Sequence, residues 1–497
     1  MWTSPGADPL APGLTRRALL AGLASGLATG VGSSVPALAL GHLLGHLTGA
    51  SPGHAGEPPA GPGRSPLAPH APHFAPRARR VLHVFANGGP SQVDTFDPKP
   101  ALERWAGKTV PGGNLPTERK TGAAFPSPFP FSRHGRSGLE VSALFPRLAR
   151  HADRLCVLRG CHADVPNHEP SLLLMNTGEA RLVRPSVGSW VTWGLGTENE
   201  DLPAFVVLCP GGDPIQEGQN WQAGFLPGIF RGARVDPSRG RPDEVVADLR
   251  ARVMSQADQR AALDLAQALN RAHAAGRPDD PALAARIDAL ELAFRMQSTA
   301  PEAFDWTREP EATIARYGPA PVGRALLVAR RLLERGVRYV QVWHGAGQPW
   351  DNHDDLAQEH ARLAGEVDPP LAALLDDLAA SGLLDETVVL WGGEFGRTPT
   401  VELPQPGANA GKLNGRDHDH HGFSVWLAGG GVRGGHVHGA TDELGFRAVE
   451  GRVHVHDLHA TLLHLLGFDH ERLTYRWAGR DMRLTDVHGR VVREILA

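Results

Sequence analysis

The stretch Val81-Leu82-His83-Val84-Phe85-Ala86, stopped by Asn87-Gly88-Gly89-Pro90 and followed by Ser91-Gln92-Val93-Asp94, decides how the rest of the chain reads. A short apolar, β-branched run closed by a Gly/Pro turn is the pattern of a buried strand. Similar runs recur at 155–158, 204–208, 337–343, 387–391 and 424–428. Between them, 243–273, 281–298, 322–336 and 355–380 have helical character, with Ile287, Leu290 and Phe294 forming one apolar face. Asp457 is placed to cap a last helix that ends near Gly467. Apolar strands alternating with helices predict an α/β fold: a three-layer α/β/α sandwich around a mostly parallel sheet. In such sheets ligands bind beyond the carboxyl ends of the strands.

The N-terminus reads as a leader. Thr15-Arg16-Arg17-Ala18-Leu19-Leu20 precedes a weakly apolar Gly/Ala run, and Ala37-Leu38-Ala39 is a small-x-small cleavage pattern. This resembles a bacterial twin-arginine signal over 1–39, giving a periplasmic or extracellular protein. An uncleaved leader would instead anchor the chain to a membrane. Residues 40–79, rich in Pro, Gly, Ala and His, read as a linker, and 80–497 as the folded domain. The 497 residues carry a net charge of −4 with no long basic run, so nucleic acid is not an expected partner. Three cysteines form no disulfide framework or zinc signature, although a bridge between Cys156 and Cys161 is open after export.

Polar clusters sit beside the predicted strand ends. Asp94 and Asp97 follow the first strand. His344 and Trp350-Asp351-Asn352-His353 follow 337–343, Gly392-Gly393-Glu394-Phe395-Gly396-Arg397 follows 387–391, and Asp417-His418-Asp419-His420-His421 precedes 424–428. Carboxylates gathered in one cleft repel one another unless a cation or proton intervenes. Mixed Asp, Glu and His donors suit zinc, manganese, iron or magnesium. Arg397 has the planar fork that clamps a phosphate or sulfate. Singly, each cluster has a plainer reading: a turn, a helix cap, an ion pair or a solvated loop. His454, His456, His459 and His464 read as packing or surface residues.

The pattern resembles the DUF1501 family of bacterial proteins, placed in the alkaline phosphatase/sulfatase superfamily. The likeness rests on Gly88-Gly89-Pro90-Ser91-Gln92-Val93-Asp94-Thr95-Phe96-Asp97, Asn167-His168-Glu169-Pro170, Arg184-Pro185-Ser186-Val187-Gly188, Gly224-Phe225-Leu226-Pro227, Trp350-Asp351-Asn352-His353, Gly392-Gly393-Glu394-Phe395-Gly396-Arg397-Thr398-Pro399 and Gly415-Arg416-Asp417-His418. It implies an alkaline phosphatase-like fold with one or two divalent ions, of zinc, manganese, iron, magnesium or calcium. Asp94, Asp351, His353, Glu394 and His418 or His421 would be the ligands. Glu394-Phe395 stands where the superfamily has an Asp followed by His, which bears on a second metal. Counting back from Thr177-Gly178, His168 falls in the nucleophile's slot and would be ligand, nucleophile or acid/base. The implied activity is hydrolysis of phosphate or sulfate esters, on a small molecule or a glycan. The alternative is a metal-containing binding protein without catalysis.

Overall fold

The computed structural model describes residues 65–238, 245, 254–275, 281–404, 412 and 414–497. The leader 1–39, most of the linker 40–79 and the start of the expected helix at 243–273 lie outside these residues. No helix among the described residues is long and apolar enough to cross a membrane.

A nine-stranded sheet runs through the molecule. Its strands are β1 (Arg80–Phe85), β2 (Leu155–His162), β3 (Phe205–Leu208), β4 (Ala233–Val235), β5 (Tyr339–Trp343), β6 (Thr387–Gly392), β7 (Phe423–Ala428), β8 (His436–His438) and β9 (Val453–His454). The order is β8-β2-β7-β6-β1-β5-β3-β4, with β9 also on β2. Strands β1, β3, β4, β5 and β6 pair in parallel, whereas β7 is antiparallel to both β6 and β2. The sheet is therefore mainly parallel, as expected for an α/β fold.

Register decides what meets at the rim. Phe85 is level with both Trp343 and Gly392, the last residues of β5 and β6. The loops leaving β1, β5 and β6 thus start side by side. Because β7 runs the other way, the segment entering it reaches the same edge.

The period-2 alternation of β1 feeds two separate cores. Leu82 and Val84 pack with Leu326, Val328, Leu371 and Leu375 from the helices Pro321–Glu334 and Leu356–Ala380. Val81 and Phe85 face the other way, onto Leu172, Met175, Val191, Leu458 and Leu462 from His168–Thr177, Val187–Leu195 and Val455–Leu465. Burying each such side chain is worth about 1.5–3 kcal/mol, so both helical layers are held to the sheet by many small increments.

Local chemistry sets the helix ends. Pro321 opens its helix at a position where no N–H is needed. Gly178 closes His168–Thr177 in the left-handed region at φ 71°, and a Cβ there would lie 2.3 Å from the Leu484 carbonyl oxygen. The last helix departs from expectation. Its N-cap is His454, whose Nδ1 accepts from His456 N–H, while Asp457 sits three residues on and accepts from His454 N–H. The cysteines are also corrected: Cys156, Cys161 and Cys209 are free and buried. Cys156 and Cys161 lie on one strand, where five residues span roughly 16 Å, beyond the reach of a disulfide.

Candidate metal centre

The carboxylate of Asp351 collects the site. Its Oδ1 has His353 Nε2 at 2.9 Å, His168 Nε2 at 3.2 Å, His418 Nε2 at 3.2 Å and Arg397 Nη2 at 2.6 Å. Its Oδ2 accepts from Gln348 Nε2 at 2.8 Å. Asp351 and His353 come from the loop after β5. His168 opens the helix His168–Thr177, and His418 lies on a two-residue ribbon paired with Gly396-Arg397. Gly88 in the turn after β1 supports this geometry. At φ +110° it packs so tightly that a Cβ would sit 2.5 Å from Asp351 N.

Each imidazole has a carboxylate behind it. His168 Nδ1 meets Glu394 Oε1 at 2.7 Å, and His353 Nδ1 bonds to Glu402 Oε2. His418 Nδ1 faces Glu118 Oε2 at a longer 3.5 Å. At His168 and His353 such a partner holds the proton on Nδ1 and turns the Nε2 lone pair inward, whereas His418 Nδ1 has no hydrogen bond among the described residues and its Nε2 donates to Asp351 Oδ1. Glu394 is in turn fixed by Gly88 N–H at 3.0 Å. Asp417 adds a carboxylate to His353 and His418, with Oδ1 accepting from His418 N–H and Oδ2 from Arg119 N–H.

This donor set fits a divalent cation. The ligand atoms of His168, Asp351 and His418 lie within 4.8 Å of one another, as do those of His353, Asp417 and His418. His168 Nε2 is buried and, although near Asp351, lies outside hydrogen-bonding geometry. Inward lone pairs on His168 and His353 beside a carboxylate oxygen repel it unless protons or a cation join them. Three imidazole nitrogens and one carboxylate oxygen are borderline donors suited to zinc, manganese or iron.

Without a cation, protons take that role unevenly. Burial opposes charge on His168, but the carboxylates of Asp351 and Glu394 on either side of the ring raise its pKa to about 9. His353 is likewise raised against burial by Asp351 and Glu402. Burial pushes His418 down to about 3, outweighing its bond to Asp351. Burial also opposes charge on Asp351, yet Arg397 and the imidazoles hold its pKa well below the usual carboxylate range.

Of the residues expected at the site, His168, Asp351, His353, Glu394, Arg397 and His418 come together. Glu394 stands behind His168 rather than facing Asp351. Arg397, expected to clamp an anion, is fully buried and its fork is already engaged. Nε donates to Gly89 O at 2.9 Å, Nη1 to Arg416 O at 3.2 Å, and Nη2 to Gly88 O and Asp351. It positions the β1 turn and Asp351, and, fully buried with all three nitrogens bonded, it does not present its fork to a substrate. Asp94 is elsewhere: both its oxygens are taken by Arg416, at 2.8 and 3.2 Å, with both side chains fully buried. His421 lines a different cavity with His162, His420 and Arg447. Sequence reasoning missed Glu402, Glu118, Arg119 and Gln348. Asp417 stood inside a recognised motif without a role. Glu402 lies four residues beyond Thr398, with no sequence signal of its own.

Residues 78–496 match the family described as "Protein of unknown function (DUF1501)". The chain belongs to this family. No curated protein matches the DUF1501 chain significantly. Among solved structures it is similar to the lipoteichoic acid synthase LtaP from Listeria monocytogenes, at 10% identity over 86% of this chain and 79% of that one, TM-score 0.35. It is also similar to the PsFucS1 sulfatase from Pseudoalteromonas sp., at 11% identity over 85% and 72%, TM-score 0.36. A third likeness is to alkaline phosphatase from the Antarctic bacterium TAB5, at 9% identity over 71% and 92%, TM-score 0.27.

Proposed function

We propose that the protein is an exported, metal-dependent hydrolase of phosphate or sulfate esters, carried by a small molecule or a glycan. The observation that carries the reading is the convergence of His168, His353 and His418 on Asp351 Oδ1, with Glu394 and Glu402 hydrogen-bonded behind the first two. His168, Asp351, His353 and His418 would hold the cation, with Asp417 beside them. A divalent ion there would polarise an ester oxygen and make water more acidic.

The protein's own groups supply the rest. Glu394 and Glu402 retain the Nδ1 protons and so keep the rings in one tautomer. Arg397 and Gln348 fix the two oxygens of Asp351. Beside Glu402, Arg119 is about one third exposed at 32%, and among the described residues its guanidinium is bonded through Nη1 alone, to Glu402 at 3.0 Å. Its remaining donors would supply positive charge to an anionic ester. His168 has Glu394 on one nitrogen and the Asp351 oxygen beside the other, so it acts as a ligand and water is the attacking group. The ester class follows from the resemblance of the motifs, and export from the twin-arginine leader.

That engagement of His168 also favours a second reading, a metal-containing binding protein without turnover. The metal-loaded protein, offered aryl phosphate, phosphodiester and aryl sulfate substrates before and after chelation, separates the two. Chelator-sensitive turnover lost in His168→Ala supports the hydrolase. Tight metal binding with no turnover of any ester establishes the binding protein.

A further inference from the structure

A second polar cavity, of about 410 Å³, opens on the same sheet edge and takes no part in the centre around Asp351. It is lined by His162, Asp164, His420, His421, Arg447 and Arg452. Three segments build it. His162 ends β2. The His420-His421 turn is tied to β2 through Ala163 N–H to His420 O at 2.8 Å. Residues 447–452 join through Ala448 N–H to His421 O at 2.9 Å.

Acids bonded to backbone N–H groups fix the walls. Asp419 is buried and accepts from His421 N–H at 2.9 Å, which sets the turn. Asp442 accepts from the N–H groups of Leu444, Gly445, Phe446 and Arg447, which sets the loop carrying Arg447. Asp164, the carboxylate among the lining residues, is paired with His454 Nε2 at 3.1 Å. Because His454 Nδ1 accepts from His456 N–H, Nε2 carries the proton that Asp164 receives. No ion pair or hydrogen bond engages the guanidinium of Arg447 or Arg452 among the described residues. The cavity therefore presents two guanidinium forks and three imidazole edges against one carboxylate, Asp164, which is itself bonded to His454.

We infer that this cavity is an anion-binding site for a sulfate or phosphate group, held by Arg447 and Arg452 and by ring N–H groups of His162, His420 and His421. Guanidinium forks match the tetrahedral oxyanion. The volume exceeds what a lone oxyanion needs and accommodates one borne on a sugar-sized body. The inference does not depend on ester hydrolysis at the metal centre.

The test is isothermal titration of the full-length protein with inorganic phosphate and sulfate, and with glucose 6-phosphate and glucose 6-sulfate. Binding is expected to weaken roughly tenfold or more in R447A/R452A, from the loss of charge-assisted bonds. Metal content is expected to stay unchanged in that variant, and binding to survive in Asp351→Asn. Tighter binding of the sugar esters than of the free ions would identify the borne group as the ligand. Absence of binding by all four probes overturns the inference. So does binding that is unchanged in R447A/R452A, or that disappears in Asp351→Asn, which would place the anion on the metal.

Discussion

His353 reaches Asp351 with one ring nitrogen, Nε2 to Oδ1 at 2.9 Å, and Glu402 with the other. A ring held at both ends by carboxylates is oriented before any cation arrives. The same arrangement repeats at His168 with Glu394 and, more loosely, at His418 with Glu118.

The backing carboxylates should therefore tune affinity without defining the site. Glu394→Gln and Glu402→Gln are each expected to leave the protein folded and to weaken metal binding about 10–100-fold. Competition against a chromophoric chelator measures this. Unchanged affinity in both variants would mean that these acids serve packing alone.

Metal binding should strengthen with pH. The metal-free protein keeps a proton on His168 up to about 9, and a cation must displace it. Apparent affinity is expected to rise by roughly tenfold per pH unit for each proton released, between about 6.5 and 9. The stability of the metal-free protein runs the opposite way. The raised His168 pKa contributes stability fully below 6.5, and that contribution is lost as pH climbs through about 9. Affinity titrations and thermal melts of the chelated protein at several pH values check both slopes.

Asp94 is expected to matter for folding and not for metal. Asp94→Asn leaves Arg416 buried with half a partner, a loss of about 3–5 kcal/mol by analogy with other broken buried pairs. Burial opposes charge on Asp94, but Arg416 keeps its pKa lowered, so its contribution is present above 3.8 and is lost as pH falls further. Denaturant titration measures the cost. Metal content of the folded Asp94→Asn and His421→Ala proteins should equal that of the parent, and loss of metal in either would return that residue to the ligand set.

Export has its own readout. Replacing Arg16 and Arg17 together by lysine is expected to retain the precursor inside the cell, as fractionation would show. Unchanged export would remove the twin-arginine reading.

Much of the architecture could be read from residues. Runs such as 81–86, 387–391 and 424–428 are apolar because both sheet faces are covered, and that leaves a clear signature. The edge strands Ala233–Val235, His436–His438 and Val453–His454 are too short to leave one. The helix His168–Thr177 was not anticipated, because Leu172-Leu173-Leu174 shows no helical period. At the site, Asp351, His353 and His418 were legible because each adjoins a strand end at the shared rim. Asp94 adjoins one too, and nothing local distinguishes a ligand from an acid whose partner, Arg416, lies 322 residues away. Glu402 and Glu118 reach the histidines only through tertiary folding, so lone acids in those segments carried no message. The fork of Arg397 looked free in sequence because its partners are largely backbone carbonyls, which no side-chain pattern reveals.

The most direct test is a crystal structure of the purified, metal-loaded protein with anomalous scattering recorded at the edge of the metal found in it. A strong peak is expected among His168 Nε2, His353 Nε2, His418 Nε2 and Asp351 Oδ1, disappearing in Asp351→Asn. A peak elsewhere, or protein that takes up no divalent metal at all, would contradict that expectation.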